Sequence, residues 1–198
     1  MGRYVGILGT DVFGVTLVDE GRLGILELST AQAVALNDAG VIALTVGSAS
    51  APVVVSSGFG AIPYPRNLIV TPGGTTAGVP AGNVTVVGTN FKDEVISEDF
   101  AFLANATAAT VGAYAFKTVT KVTIPQLDEA GASFKVGFGD KLGLPFMLDY
   151  NAVLGATFDG VRETTFPTVV FDADEIHKNT VDLNSVLNAK AVKIFLAL

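Results

Sequence analysis

The sequence predicts an all-β protein, an antiparallel β-sandwich or barrel built from about a dozen short strands with little helix. Three observations carry that expectation. β-Branched and aromatic runs recur between clusters of Gly, Pro, Asn and Asp, with period-2 alternation in several of them. Helical periodicity is almost absent. The composition, 49% hydrophobic against 16% charged over 198 residues, provides for a substantial core without disulfide or metal staples.

Taken in order, residues 12–18 and 23–28 flank Asp19-Glu20-Gly21-Arg22 and read as a hairpin closed by a Gly-containing loop. Residues 31–36 are ambiguous: Ser29 or Thr30 can cap a short helical turn, which Asn37-Asp38-Ala39-Gly40 ends. Residues 40–46 and 53–56 are the next strands, split by Ser48-Ala49-Ser50-Ala51-Pro52. Pro63 and Pro65 make the entry to residues 67–71 extended and poor in ladder donors, which suits a sheet edge.

The run from Pro72 to Gly82 is rich in turn residues and reads as a surface excursion or contact loop. Residues 83–88 alternate, with Val84 and Val86 on one face, and pair with 95–102 as a second hairpin. Residues 104–112 read as loop. In 116–124, Thr118, Thr120, Val122 and Ile124 oppose Lys117, Val119, Lys121 and Thr123 across the strand. Phe134, Val136 and Phe138 share a face in the cleanest alternation of the chain, with Gly137 marking a bulge or close backbone approach. The stretch from Gly139 to Pro145 is read as a turn. Asp159-Gly160 between residues 153–158 and 161–166 is a type I′ hairpin signal. Residues 168–171 and 191–198 add strands, and 179–187 reads as turns with one helical turn.

The prolines at 63, 65 and 145 divide the chain coarsely into an N-terminal hairpin region or arm (1–63), a central β-sandwich unit (64–148) and C-terminal strands packing on the same core (149–198). No Ser/Gly or charged linker separates these parts, so one single domain over 1–198 stands beside that division.

Composition excludes several functions. The chain has no Cys and one His, which removes thiol nucleophiles, zinc knuckles, iron–sulfur sites and imidazole clusters. Twelve basic against 19 acidic residues give a net charge of −7, which opposes nucleic acid and anionic lipid as partners. Despite high mean hydropathy, the most apolar stretch, 41–55, is cut by Thr45, Gly47, Ser48, Ser50 and Pro52, and the 13 Phe and 4 Tyr do not form girdles. The N-terminal apolar run is too short for a secretory h-region, and Gly6 breaks the myristoylation pattern.

No chemical motif stands up. Gly137-Phe138-Gly139-Asp140-Lys141-Leu142-Gly143 has glycines and a lysine, but Leu142 replaces the Ser or Thr of a phosphate loop and Pro145 blocks the helix. Glu98 and Asp99 point to opposite faces of a strand. Asp172, Asp174 and Glu175 are dense in oxygen yet lack the spacing of a calcium loop, so they read as solvated charge. His177 sits in a polar stretch and reads as exposed or as an interface residue, and no Gly-x-Ser-x-Gly elbow accompanies it. Arg66, Arg162 and Lys141 are isolated cations suited to surface pairing or an interface. The expectation is a non-enzyme with no catalytic, cofactor or metal residues.

From residue 53 onward the order of phrases is familiar: Val53-Val54-Val55-Ser56-Ser57-Gly58-Phe59, Pro65-Arg66-Asn67-Leu68, Gly82-Asn83-Val84-Thr85-Val86-Val87-Gly88-Thr89-Asn90 and Ile96-Ser97-Glu98-Asp99-Phe100. Ala115-Phe116-Lys117-Thr118-Val119, Val136 to Pro145 and Asn179-Thr180-Val181-Asp182-Leu183-Asn184 continue it. This series, over residues 53–198, resembles structural proteins of tailed bacteriophages and prophages. The resemblance implies a virion component, made in the host cytoplasm and placed on the capsid surface as a decoration (cement) protein. Its implied partners are itself, as a homo-oligomer such as a trimer, and the major capsid protein, with no nucleic acid and no membrane. A tail, collar or fibre component is the alternative, and a carbohydrate-binding β-sandwich or virion hydrolase is a further one. Candidate contact residues are Tyr4, Val5, Ile7 and Leu8, chosen for apolar content, and Ile62, Tyr64 and Arg66, chosen for edge exposure.

Overall fold

The computed structural model describes residues 23–198. In chain order its strands are β1 (Leu23–Leu28), β2 (Asn37–Val46), β3 (Val53–Val55), β4 (Arg66–Gly74) and β5 (Gly82–Thr89). There follow β6 (Val95–Phe102), β7 (Thr110–Val111), β8 (Thr118–Ile124), β9 (Ala132–Gly143) and β10 (Val153–Phe158). The last are β11 (Val161–Arg162), β12 (Thr168–Val170), β13 (Thr180–Asp182) and β14 (Val192–Ala197). Thr76–Gly78 and Ile176–Lys178 form 3-10 turns. The fold is all-β and its strand pairs are antiparallel.

Three sheets result. A six-stranded central sheet runs β12-β13-β9-β4-β7, with β2 also paired to β9. A four-stranded sheet, β3-β8-β5-β6, packs on it, and a second four-stranded sheet runs β1-β14-β10-β11. Leu68 and Val70 of β4 and Phe134, Val136 and Phe138 of β9 meet Val84, Val86, Phe100, Val122 and Ile124 to form the first core. Leu28, Leu142, Leu144, Val153, Val181, Ile194 and Leu196 form the second, under the β1-β14-β10-β11 sheet. Each fully buried Leu or Phe contributes about 1.5–3 kcal/mol, so sharing β9 between both cores ties them strongly together. The cores do not follow the proline markers: the second draws on Leu28, Tyr64 and Leu196 alike.

Local pattern placed several elements well. β5 and β6 pair over their full length from Gly82↔Phe102 to Thr89↔Val95, with Val84 and Val86 buried. Asp159 (φ 54°) and Gly160 (φ 78°) make the two-residue turn between β10 and β11. A Cβ on Gly137 would overlap the Asn37 carbonyl of β2, which is the close approach its position implied.

Elsewhere tertiary contacts override the local reading. The stretch from Gly139 to Pro145 does not turn out of its strand. β9 continues to Gly143, because one residue of β4, Asn67, lies between Arg66↔Leu142 and Leu68↔Phe138 against three of β9, and the excess is taken up as an irregularity. The Asn67 side chain fills it, its Oδ1 accepting the Lys141 N–H at 3.1 Å while its Nδ2 donates to the Gly112 carbonyl at 3.1 Å. In β8, a register shift between Val87↔Lys121 and Gly88↔Val119 turns Val119 inward beside Val122, against simple alternation. Pro72 to Gly74 belong to β4, and Val79 beyond them is fully buried, so this stretch is not a free excursion. The 104–112 loop contains β7, and the 179–187 turns contain β13. Residues 29–33 close one turn, with Ser29 O accepting from Gln32 N (3.0 Å) and Ala33 N (2.9 Å). β1 pairs with β14; the expected hairpin partner at 12–18 lies outside the described residues.

Candidate interaction surface

Tyr4, Val5, Ile7 and Leu8 lie outside the described residues. Ile62 is half-buried against the first core. Tyr64 and Arg66 are interior rather than edge residues: Arg66 pairs with Leu142 of β9 on one side and with Phe116 on the other, and Tyr64 packs into the second core. The Tyr64 hydroxyl donates to the Gly143 carbonyl at 3.0 Å, its ring meets Phe91 edge-on at 5.7 Å, and burial pushes its pKa up.

Arg66 occupies the junction of the two cores. Its Nη1 donates to the Val34 carbonyl (3.0 Å) and the Gly139 carbonyl (3.1 Å), and its Nη2 to the Gln32 carbonyl (2.8 Å). Its Nε has no hydrogen-bond partner. Burial lowers the guanidinium pKa to about 10, partly opposed by Asp140, so it stays charged at neutral pH. A fully buried cation held by three backbone carbonyls is a pin for the turn after β1. The clue in the sequence was an arginine entering an otherwise apolar strand.

The acidic stretch is also committed to the fold. Asp172 Oδ1 accepts from the backbone N–H of Asp174 (2.9 Å) and Glu175 (2.8 Å), and these bonds hold its pKa below the usual carboxylate value. Lys178 pairs with Glu175 and lies 3.9 Å from Asp172. Asn179, fully buried, accepts from Leu148 N and Asp172 N and donates to the carbonyls of Asp172 and Glu175. Among the described residues no group of three or more His, Asp or Glu side chains is placed to hold a metal ion. His177 is buried rather than exposed, its ring edge-on to Tyr114 at 4.6 Å, and burial lowers its pKa.

The surface that sequence reasoning missed is the outer face of β1-β14-β10-β11. In β1, Leu28 points inward while Leu23 and Ile25 face solvent. Ile25 lies opposite Phe195, and Phe195 opposite Gly155, in one transverse row. A register shift between Val153 and Gly155 turns Leu154 outward, 42% exposed. Leu23, Leu154, Gly155, Thr157, Arg162 and Phe195 line a depression of about 370 Å³. Gly155 and Arg162 also border an adjoining one of about 320 Å³ that reaches Phe166. The Glu27–Lys193 ion pair (2.7 Å) closes one end of the face. Arg162 therefore stands among apolar side chains, with no salt bridge among the described residues. That residues 23–28 form a strand was legible, but not that both faces of this strand carry apolar side chains or which face is covered.

Comparison against protein-family profiles, curated proteins and solved structures returns no match to the chain. Among the described residues no helix is long and apolar enough to cross a membrane.

Proposed function

We propose that this chain is a non-enzymatic structural protein of a tailed-phage virion, most specifically a capsid decoration protein that binds the assembled shell and stabilises it. The carrying observation is the apolar outer face of β1-β14-β10-β11, with Leu23, Ile25, Leu154 and Phe195 around Arg162. Aromatic and aliphatic side chains around one arginine are the composition of interface anchors. The resemblance of residues 53–198 to phage structural proteins motivates the partner class: the major capsid protein, offering an apolar patch with a carboxylate for Arg162. Binding there adds association free energy to the shell and performs no chemistry on a substrate.

The test is co-sedimentation of the purified protein with capsids, together with antibody labelling of virions. Saturable capsid binding and labelling over the shell support the reading. Labelling confined to the tail overturns it in favour of a tail or collar component.

A further inference from the structure

We propose that Met147 is an oxidation site whose sulfoxide is captured by Lys92, so that oxidation tightens the contact between the β5–β6 turn and the loop after β9. This goes beyond the proposed shell binding and does not rest on it.

Met147 is 48% exposed and borders a cavity of about 480 Å³ with Phe146, Tyr150, Ile176 and Leu198. The cavity admits a small oxidant and leaves room for one added oxygen. The Met147 Sδ accepts from Lys92 Nζ at 3.5 Å. A thioether is a weak acceptor. Lys92 forms no salt bridge among the described residues, and Asp149, which lines the same cavity, does not pair with it. A full positive charge with unused donor capacity therefore stands beside the sulfur.

Buried asparagines hold the backbone on both sides of this contact. Asn90, 1% exposed, accepts the N–H of Lys92 (2.8 Å) and of Glu94 (3.1 Å) on Oδ1 and donates to the Glu94 carboxylate (2.8 Å). These bonds close the turn that presents Lys92. Asn179, fully buried, accepts at 3.3 Å the N–H of Leu148, the residue after Met147. The two side chains thus meet from fixed backbones, although 55 residues separate them in the chain.

The oxidant is hydrogen peroxide. A sulfur lone pair attacks one peroxide oxygen, the S–O bond forms as the O–O bond breaks, and the other oxygen takes the proton of the transferred one and leaves as water. Sulfur loses two electrons and the peroxide gains them. Inside a core the resulting polar oxygen disrupts packing. Beside Lys92 it replaces a weak acceptor with a strong one, and a charge-assisted hydrogen bond is roughly twice as strong as a neutral one. The unbranched methionine chain has the torsional freedom to turn its new oxygen toward Nζ.

The experiment treats the folded full-length chain with hydrogen peroxide, locates the added oxygen by peptide mass spectrometry and compares thermal unfolding before and after. It is run on the unmodified protein, K92A and M147L, whose substituted side chains are exposed; circular dichroism checks that the variants are folded. One oxygen on Met147 is expected. Oxidation should leave the midpoint unchanged or raise it in the unmodified protein, lower it in K92A and leave M147L where it was. A Met147 that stays unoxidised while N-acetylmethionine in the same solution is oxidised overturns the proposal. So does a midpoint lowered by oxidation in the unmodified protein, an equal shift in K92A, or a shift that persists in M147L. Capsid binding is not the readout, so failure here leaves the shell-binding proposal untouched.

Discussion

The guanidinium of Arg66 lies 5.2 Å from the ring centroid of Phe138, in contact with the first core, while Arg66 pairs across the ladder with Leu142 of the second. The charge is satisfied by carbonyls and an aromatic face rather than by a carboxylate. Arg66→Ala therefore leaves three interior carbonyls without a donor and opens a cavity, and should destabilise by about 3–5 kcal/mol. Arg66→Lys should fall between, since an ammonium cannot reproduce the planar fork. Urea midpoints of the two variants check the order.

Asn179→Ala removes four hydrogen bonds that join residues 148, 172 and 175. A destabilisation of about 1–3 kcal/mol is expected, because the Asp172 N–H loses its partner while Leu148 N and the two carbonyls keep backbone bonds. Hydrogen exchange should speed up at Leu148 and Asp172, with the β5–β6 hairpin unaffected.

His177 gives stability a defined dependence on pH. Its folded pKa is lowered by burial below the ordinary 6.5, so the unfolded chain binds the proton more readily. The contribution is present above pH 6.5 and is lost as pH falls through the folded value. His177→Phe should remove this slope. As the chain has a single histidine, one imidazole resonance reports the folded titration directly.

Glu98 works in the opposite sense. Burial raises its pKa above 4.5, partly offset by hydrogen bonds from the N–H groups of Ala113 and Tyr114. A raised carboxylate pKa favours the fold below pH 4.5, and this contribution fades as pH rises through the folded value. Glu98→Gln should flatten stability in that window while keeping one acceptor for Ala113. Chemical denaturation from pH 3 to 7, about the span of ordinary carboxylate titration, measures it.

Leu154→Lys and Arg162→Glu change the outer face without touching either core, so unfolding midpoints should stay within about 0.5 kcal/mol of the unmodified protein. Capsid co-sedimentation should drop for both. Unchanged binding by the double variant would remove this face from the proposed function.

The hairpins β5–β6 and β10–β11 were legible because their signals are local: alternation at Val84 and Val86, and Asp159-Gly160 with both residues at positive φ. β7 and β13 escaped because each is two or three residues long and mixes Thr or Asp with a single Val, whereas β3 and β12, equally short, carry runs of two or three Val. Among the candidate contact residues, Tyr64 and Arg66 read as edge residues because of the two prolines at 63 and 65. Pro63 and Pro65 instead lie ahead of a strand with neighbours on both sides.

By itself the sequence determined the all-β class, the antiparallel hairpins and the face of β9 that enters the first core, since each follows from turn chemistry and period-2 patterning within a few residues. Tertiary structure alone decided that β1 pairs with β14, that Arg66 is interior, and which apolar side chains stay outside. Those outcomes depend on contacts between residues far apart in the chain, and a hydrophobic residue on a strand does not declare whether another sheet covers it.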